Sequence, residues 1–171
     1  MSEISRRNFL KGAAVAGAAV AGSAALAGCS SEMCIRDSLK RLQPYAKTEV
    51  REIADVDPGR AGGVDAARDR EGAAIVGALS PSSHVVLLAI DGKQRSSEGF
   101  SQRIDALKLN GASDIAFVIG GSDGVSAAVR QRADETLSFG PVTLPHNLAR
   151  VVLLEQLYRA QKISRGEPYH K

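Results

Sequence analysis

The sequence predicts an α/β fold in which a mostly parallel sheet is flanked by helices. Two continuous apolar runs, HVVLLAI (84–90) and DIAFVIGG (114–121), are typical of strands buried on both faces, as parallel strands covered by helices are. Helical patterns alternate with these runs along the chain, which indicates a parallel sheet. A chain of 171 residues, 44% of them hydrophobic, is long enough for one domain with a packed core.

Four segments precede the first buried strand. LKRLQPY (39–45) is typical of a helix end that stops at a proline, and TEVREI (48–53) alternates as a half-buried strand does. The turn residues of DPGRAGG (57–63) predict a loop. Residues 65–79 predict a helix whose aliphatic side chains point towards the core.

Further helices and strands alternate after residue 90. Ser96 or Ser97 is expected to cap a helix that ends near Asn110, with Gly111 as its stop signal. Apolar residues at helical spacing predict a long final helix. In chain order, the sequence predicts a loop over 91–97, a short helix over 126–132, a strand over 135–139 and the long helix over 144–163.

The N-terminal residues differ from the rest of the chain in composition. Arg6 and Arg7, followed by an Ala/Gly-rich run over 13–27, resemble a twin-arginine export signal, and LAGC (26–29) resembles a lipoprotein cleavage box. The alternative is an Ala-rich surface helix. SSEMCIRDS (30–38) is interpreted as the translated junction of two unrelated reading frames. We therefore expect residues 1–38 to be signal-like or artefactual and outside the fold, and residues 39–171 to form the domain.

The net charge, the cysteines and the glycines indicate which partners and which kinds of binding site the chain can have. A net charge of +3 and a pI near 9.0 fit an anionic partner such as nucleic acid. Cys29 and Cys34 both precede the predicted domain, so we expect no disulfide framework and no metal site there. GGSDG (120–124) follows a predicted strand, but its spacing departs from the dinucleotide fingerprint, and no Walker A loop is present. Glycine at the carboxyl end of a strand still lets a ligand approach the backbone.

Three motifs together resemble one protein family. FVIGGSDG (117–124), TLPHNLARVVLLEQLYRA (143–160) and RGEPYHK (165–171) are similar, spacing included, to motifs of the ribosomal RNA large subunit methyltransferase H family, in the SPOUT class. The resemblance covers about residues 39–171. It implies an α/β sheet whose C-terminal part is tied in a trefoil knot. Residue patterns alone would reject that topology, because threaded chains are close to absent among folds.

The resemblance implies transfer of a methyl group from S-adenosylmethionine to N3 of a pseudouridine in 23S ribosomal RNA of the large subunit. Family members act on the assembled ribosome, as cytoplasmic homodimers, with no membrane contact for the folded domain. The export signal conflicts with that location and is judged artefactual. The alternatives are an exported, lipoprotein-like binding module without catalytic activity and, from the α/β pattern and GGSDG alone, a nucleotide-binding oxidoreductase domain.

The resemblance also implies site residues. His170 is the candidate base that removes the N3 proton, and Tyr169 is a stacking platform or hydrogen-bond donor. The candidate RNA-binding residues are His146, Arg150, Arg159, Lys162 and Arg165. The candidate cofactor-binding residues are Leu88, Gly121, Gly140, Pro141, Val142, Thr143, Leu144 and Pro145. His146 can equally cap the helix, Arg159 can equally serve only a pair with Glu155, and His84 is expected to be structural.

Two features depart from the family pattern. An Asp usually follows the position of Leu88, whereas this chain has Ala89 there and Asp91 two positions further on. The family's first strand and most of its first helix are missing, and a sheet without that strand exposes edge and core. We expect this chain to be markedly less stable than a complete family member, or insoluble.

Overall fold

A computed structural model describes residues 31–168 of the chain. Strands and helices alternate in this part of the chain, and the predicted α/β class is confirmed. The strands are β1 (His84–Gln94), β2 (Ile115–Ile119) and β3 (Glu135–Ser138). The helices are α1 (Ser31–Leu42), α2 (Pro58–Ala61), α3 (Val64–Ala78), α4 (Ser97–Leu109), α5 (Ala127–Arg132) and α6 (His146–Ser164).

The three strands form one parallel sheet in the order β2-β1-β3, as the apolar runs predict. Strand β1 lies in the centre and is buried on both faces. Its Val86 packs in one core cluster, while Val85 and Leu87 pack in the other. Full burial of an aliphatic side chain of this size contributes roughly 1.5–3 kcal/mol relative to exposure, which explains the continuous apolar run.

Helices cover both faces of the sheet. Helices α4 and α6 pack on one face through Phe100, Ile104 and Leu153. Helices α3 and α5 pack on the other face, where Ile75 and Val129 lie in the second cluster. Helix α6 follows β3 and packs back across the sheet, so its first turn lies at the carboxyl ends of the strands and its last turn at the amino ends.

Strand β1 is longer than predicted. Leu137 of β3 lies opposite both Leu88 and Lys93, so residues 89–92 leave the ladder before the strand resumes. The predicted loop over 91–97 is therefore wrong for its first half. A Cβ at Gly92 would lie 2.7 Å from the carbonyl carbon of Leu137, and only glycine lets the two strands approach so closely here.

Helix boundaries follow most of the predicted capping residues. The Ser96 side chain accepts a hydrogen bond from the Gly99 N–H at 3.1 Å and caps α4, as predicted. Gly111, with φ of 87°, follows the end of that helix. Helix α6 begins two residues later than predicted, because Leu144 precedes Pro145 and a residue before proline is disfavoured in the helical region.

Two predictions for residues 47–63 are wrong. Residues 48–53 form no strand, because no strand of residues 31–168 lies beside them to complete a ladder. Side chains hold the segment instead: Arg51 donates to the Ala78 carbonyl at 3.0 Å, and Glu71 accepts from the Val56 N–H at 2.8 Å. The predicted loop after residue 56 contains helix α2, which Asp57 caps through the Gly59 N–H at 2.8 Å.

Helix α1 begins at Ser31, whereas the sequence predicts a fold that begins after residue 38. Ser38 and Leu42 are buried, and Arg41 lies 3.6 Å from Glu155 of α6. These contacts place α1, from Ser38 onward, against the domain. The signal-like character of residues 1–30 falls outside the described residues, and the domain boundary, the trefoil knot and the missing first strand stay predictions.

Candidate cofactor and RNA site

The carboxyl edge of the sheet brings together three of the predicted cofactor segments. Leu88 of β1 lies opposite Ile119 of β2 and Leu137 of β3. Gly121 follows the end of β2, and Gly140 follows the end of β3. Ligands of open α/β sheets bind outside the carboxyl ends of the strands. The predicted residues from three separate stretches of sequence therefore meet at one edge.

A buried serine shapes the loop that follows β3. The Ser138 hydroxyl donates to the Ile90 carbonyl at 2.9 Å and accepts from the Gly140 N–H at 3.1 Å. Gly140 has a φ of 108°, a conformation that side-chain-bearing residues rarely adopt. Ser138 was not among the residues that the sequence pointed to. A small polar residue directly before a Phe-Gly-Pro turn was the available signal.

The two glycines of the turn after β2 differ in the space around them. A Cβ at Gly120 would lie 2.8 Å from the Val125 Cγ1, whereas a Cβ at Gly121 would meet nothing within 4 Å. The Gly124 N–H closes the turn by donating to the Gly121 carbonyl at 3.2 Å. Gly120, which was not among the candidate cofactor-binding residues, packs closely against Val125. Gly121 leaves open space beside the predicted pocket.

Exposed apolar side chains surround the same edge. Ile90, Val142 and Leu148 are 58%, 56% and 47% exposed, respectively. Apolar walls, with backbone N–H and C=O groups from glycine turns, suit the adenine and methionine parts of a nucleoside cofactor. The residues present therefore fit S-adenosylmethionine. Asp91 is exposed and pairs with Arg130 at 3.5 Å, so its carboxylate is engaged with α5.

The candidate RNA-binding residues lie along α6 and most are paired within the chain. His146 is exposed at the first position of the helix. Arg150 donates to Glu52 at 2.6 Å, and Arg159 donates to Glu155 at 3.0 Å. The expected pair of Arg159 with Glu155 is thus present. An additional role for Arg159 in RNA binding stays a prediction.

The remaining candidate cations lie at the far end of α6. Lys162 pairs with Glu167, and this hydrogen bond raises the pKa of Lys162 and lowers the pKa of Glu167. Tyr45 also donates to Glu167 at 2.9 Å. The Arg165 guanidinium lies over the Tyr45 ring, 4.4 Å from its centroid. These contacts fold the start of the tail against the chain.

The predicted catalytic residues, Tyr169 and His170, lie outside the described residues. The tail that leads to them starts at the amino edge of the sheet, because α6 runs opposite to the strands. At about 1.5 Å per residue, the 19 residues of α6 span roughly 28 Å. The tail therefore leaves the fold far from the glycine turns of its own chain.

A separate ionic cluster lies at the amino edge of the sheet. Glu135 accepts hydrogen bonds from Arg103 at 3.1 Å and lies 3.2 Å from His84. Burial raises the pKa of Glu135, but the hydrogen bonds from Arg103 and His84 outweigh it and the net pKa lies below 4.5. His84 thus joins β1 to β3 through Glu135, in agreement with its expected structural role.

Two further observations concern the described part of the chain alone. Within residues 31–168, no group of three or more His, Cys, Asp and Glu side chains is arranged to hold a metal ion. No helix in the same range combines the length and the apolar character that a membrane crossing requires.

Comparison with known proteins matches two families to this chain. The family described as "Predicted SPOUT methyltransferase" matches residues 26–170. The family described as "TAT (twin-arginine translocation) pathway signal sequence" matches residues 3–23, in agreement with the predicted export signal. The methyltransferase match begins within the lipoprotein-like box and includes helix α1.

Several curated proteins are similar to most of the chain. A protein named "Ribosomal RNA large subunit methyltransferase H" from Bacillus cytotoxicus is 51% identical over 140 residues, which cover 80% of this chain and 88% of the relative. Proteins of the same name from Bacillus thuringiensis and Bacillus anthracis are 50% identical over the same shares. With this identity and a methyltransferase match over residues 26–170, the chain belongs to the ribosomal RNA large subunit methyltransferase H family of SPOUT methyltransferases.

Proposed function

We propose that this protein transfers a methyl group from S-adenosylmethionine to N3 of a pseudouridine in 23S ribosomal RNA of the large subunit. The observation that carries the proposal is the 51% identity over 140 residues to a ribosomal RNA large subunit methyltransferase H. The convergence of Leu88, Gly121 and Gly140 at one sheet edge supports it. The binding-module and oxidoreductase alternatives gain no support from the relatives.

The carboxyl edge of the sheet is the proposed cofactor pocket. When bound, S-adenosylmethionine supplies the electrophilic methyl group of its sulfonium. Leu88, Val142 and Leu144 contribute apolar walls, and the backbone of 140–145 hydrogen-bonds the adenine edge. The empty space at Gly121 accommodates the ribose or the methionine arm. Ser138 holds the loop in place through Ile90 and Gly140.

Methylation of the pseudouridine requires a general base to remove the N3 proton and a side chain on which the nucleobase can stack. The N3–H group of pseudouridine is a weakly acidic imide, and loss of its proton makes the nitrogen nucleophilic. His170 takes that proton, because an imidazole titrates near neutral pH. Tyr169 stacks on the base or donates a hydrogen bond to it.

We infer that the protein works as a homodimer in which the tail of one subunit completes the pocket of the other. Glu167 is held at the amino edge of the sheet by Tyr45 and Lys162. Three extended residues reach about 11 Å from Glu167 to His170, less than half of the roughly 28 Å length of α6. Such a reach does not bridge the length of α6 back to the glycine turns of the same chain.

RNA binding must compete with ion pairs inside the chain. To bind a phosphate, Arg150 must break its ion pair with Glu52, and Lys162 must break its ion pair with Glu167. The Glu52 carboxylate is exposed, so this exchange costs little, since exposed ion pairs contribute about 0–1 kcal/mol. The large subunit within the assembled ribosome is the proposed partner, and neutralised phosphates make the interaction salt-dependent.

The proposed location is the cytoplasm, where both S-adenosylmethionine and ribosomes are found. The twin-arginine match over residues 3–23 points to export, which would remove donor and acceptor together. We therefore propose that the signal does not direct the active protein. Mass spectrometry of the natural protein tests the junction, because a peptide spanning residues 30–42 would show that both parts belong to one chain.

Methyl transfer to ribosomes tests the activity directly. The full chain is incubated with radiolabelled S-adenosylmethionine and ribosomes from a strain that lacks this modification, and the labelled nucleoside is identified by mass spectrometry. We expect label at N3 of one pseudouridine. His170→Ala should abolish turnover, whereas Lys171→Ala, at the neighbouring tail position, should retain it. Full turnover by His170→Ala would contradict the base assignment, and absent label with intact cofactor binding would contradict the acceptor.

Mixed dimers test whether the tail acts across subunits. Gly121→Leu blocks one pocket and His170→Ala disables one tail, so neither variant alone should be active. If the tail serves the partner, a mixed dimer has one intact site, and random mixing should restore about a quarter of wild-type activity, since half of the dimers are mixed and each has one of two sites. If the tail serves its own chain, mixing restores nothing.

A further inference from the structure

Helix α6 ends in a turn that fixes the direction of the chain beyond it. Gly166 has a φ of 65°, and its N–H donates to the Ile163 carbonyl at 3.0 Å. The Glu167 N–H donates to the Lys162 carbonyl at 3.0 Å. These two hydrogen bonds and the left-handed glycine form a Schellman motif, which orders the backbone beyond a helix. The backbone is therefore held as far as Glu167.

The Glu167 side chain adds a contact with a distant part of the chain. Its Oε2 atom accepts a hydrogen bond from the Tyr45 hydroxyl at 2.9 Å and pairs with the Lys162 ammonium group. Lys162 lies on α6 itself, whereas Tyr45 lies 122 positions before Glu167, beyond the end of α1. The Tyr45 hydroxyl therefore ties the chain after α6 to a second part of the fold.

Tyr45 is itself held in place, so it can serve as an anchor. Its N–H donates to the Leu42 carbonyl at 2.9 Å, and Leu42 is buried. The Tyr45 ring meets the Tyr158 ring of α6 edge to face, with centroids 5.8 Å apart, and the Arg165 guanidinium lies over the Tyr45 ring. The aromatic pair and the cation–π contact both favour one orientation of this ring. The hydroxyl group is thus directed at Glu167 by several contacts.

Glu167 stands just before the predicted catalytic residues. Pro168 follows it, which restricts Glu167 to extended backbone and fixes the φ of the next position. Tyr169 and His170 come two and three positions after Glu167. Three residues reach at most about 11 Å, so a fixed Glu167 limits the volume that His170 can search. Residues that are ordered beforehand do not have to be ordered during the reaction.

We propose that Tyr45 is a positioning residue that holds the tail at Glu167 so that Tyr169 and His170 reach the acceptor base, a role that rests on the proposed methyl transfer. Lys162 cannot hold the tail throughout the reaction, because as a candidate phosphate ligand it must leave Glu167. The Tyr45 hydroxyl is uncharged, so its bond to Glu167 can persist when Lys162 binds RNA. Tyr45 thereby separates tail placement from phosphate binding.

Tyr45→Phe tests the anchor, because it removes the hydroxyl and keeps the ring under Arg165. Amide hydrogen exchange of the full chain, followed by NMR, reports on the tail without any need for activity. We expect the Gly166 and Glu167 amides to exchange about two- to ten-fold faster in the variant, the effect of one lost hydrogen bond. The kcat on ribosomes that lack the modification should fall by a similar factor, while affinity for S-adenosylmethionine stays within about two-fold of wild type.

Ser101→Ala is the matched control. The buried Ser101 hydroxyl donates to the Ala160 carbonyl of α6 at 2.8 Å, so this variant also removes one hydroxyl contact with α6, but one that does not involve Glu167. We expect its free energy of unfolding to fall, whereas Glu167 exchange and kcat stay within about two-fold of wild type. An equal loss of kcat in Ser101→Ala and Tyr45→Phe would show that loosening of α6 is sufficient, and would overturn the proposal.

A double-mutant cycle with Glu167→Ala shows whether Tyr45 acts through Glu167. If it does, Tyr45→Phe should reduce kcat no further in the Glu167→Ala background, because the acceptor is already absent. Multiplied losses in the double variant would overturn the proposal, as would wild-type kcat in Tyr45→Phe or unchanged exchange at Glu167. A wild-type protein that transfers no methyl group contradicts the proposed function instead, and the exchange rates then still decide whether Tyr45 holds Glu167.

Discussion

Single glycines set the geometry of the candidate site. Gly92 lies against the Leu137 backbone, Gly120 lies against Val125, and Gly140 adopts a φ of 108°. Each of these positions excludes a Cβ, but for different reasons: two through close packing and one through backbone conformation. Gly121 differs from all three, because a Cβ there meets nothing within 4 Å and its φ is not positive. Stability and cofactor binding should therefore respond to different glycines.

Gly92→Ala should destabilise the fold. Its Cβ would lie 2.7 Å from the Leu137 carbonyl carbon, and backbone cannot move aside as a flexible side chain can. We expect the free energy of unfolding to fall by about 1–3 kcal/mol, measured by urea titration. The control is Gly77→Ala in α3, whose Cβ meets nothing and which should stabilise by about 0.5–1 kcal/mol. Equal stability of the two variants would contradict the strand approach at Gly92.

Gly121→Ala should separate cofactor binding from stability. The added methyl group enters open space in the free protein, so the free energy of unfolding should stay within about 0.5 kcal/mol of wild type. The same methyl group occupies space that the proposed pocket offers to the ribose or methionine arm. We therefore expect the affinity for S-adenosylmethionine to fall about ten-fold. Calorimetric titration measures both affinities. Unchanged affinity would place the cofactor away from Gly121.

At the scale of elements, ion pairs tie the helices to the sheet. Glu135 at the start of β3 contacts His84 of β1 and Arg103 of α4. Arg95, before α4, adds a contact at 3.4 Å. A carboxylate with 19% side-chain exposure that accepts several hydrogen bonds stabilises its ionised form, which is why its pKa is lowered despite burial.

Glu135→Gln should lower stability at neutral pH and have little effect in acid. Because the folded-state pKa lies below the ordinary value of 4.5, the Glu135 contribution is present above that value and is lost as pH falls through the folded pKa. We expect a loss of about 1 kcal/mol at pH 7 that shrinks as the pH falls below 4.5 and through the folded-state pKa. Urea titrations across this pH range check it. Glu49→Gln, at an exposed pair with Arg51, should change stability by less than about 0.5 kcal/mol at either pH.

At the scale of the whole molecule, the sheet is small and one edge of it is apolar. Three strands pair within residues 31–168, and residues 48–53 stay outside the sheet. Parallel sheets are normally covered on all sides, and no strand of residues 31–168 pairs with the outer edge of β2. An uncovered edge weakens a whole sheet when its strand also supplies the core, as β2 does through Val118.

The full chain, with three paired strands in residues 31–168, should unfold at a lower temperature than its curated relatives. The protein from Bacillus cytotoxicus, 51% identical over 140 residues, is a suitable comparison. We expect a lower and broader thermal transition for this chain in differential scanning calorimetry, or aggregation before the transition is complete. A cooperative transition at the same temperature as that of the relative would contradict the expected loss of stability.

The sequence by itself determined the α/β class, the central strands, the cap at Ser96 and, through three motifs, the family. These features depend on local patterns, such as apolar period and capping chemistry, that nearby residues contain in full. Only the tertiary structure decided that residues 48–53 remain unpaired, that β1 resumes after Gly92 and that Ser138 holds the glycine loop. Each of these depends on which backbone lies alongside, and a neighbour distant in sequence leaves no local pattern. The opposite placement of tail and pocket has the same origin, because the direction of α6 relative to the sheet is a property of packing.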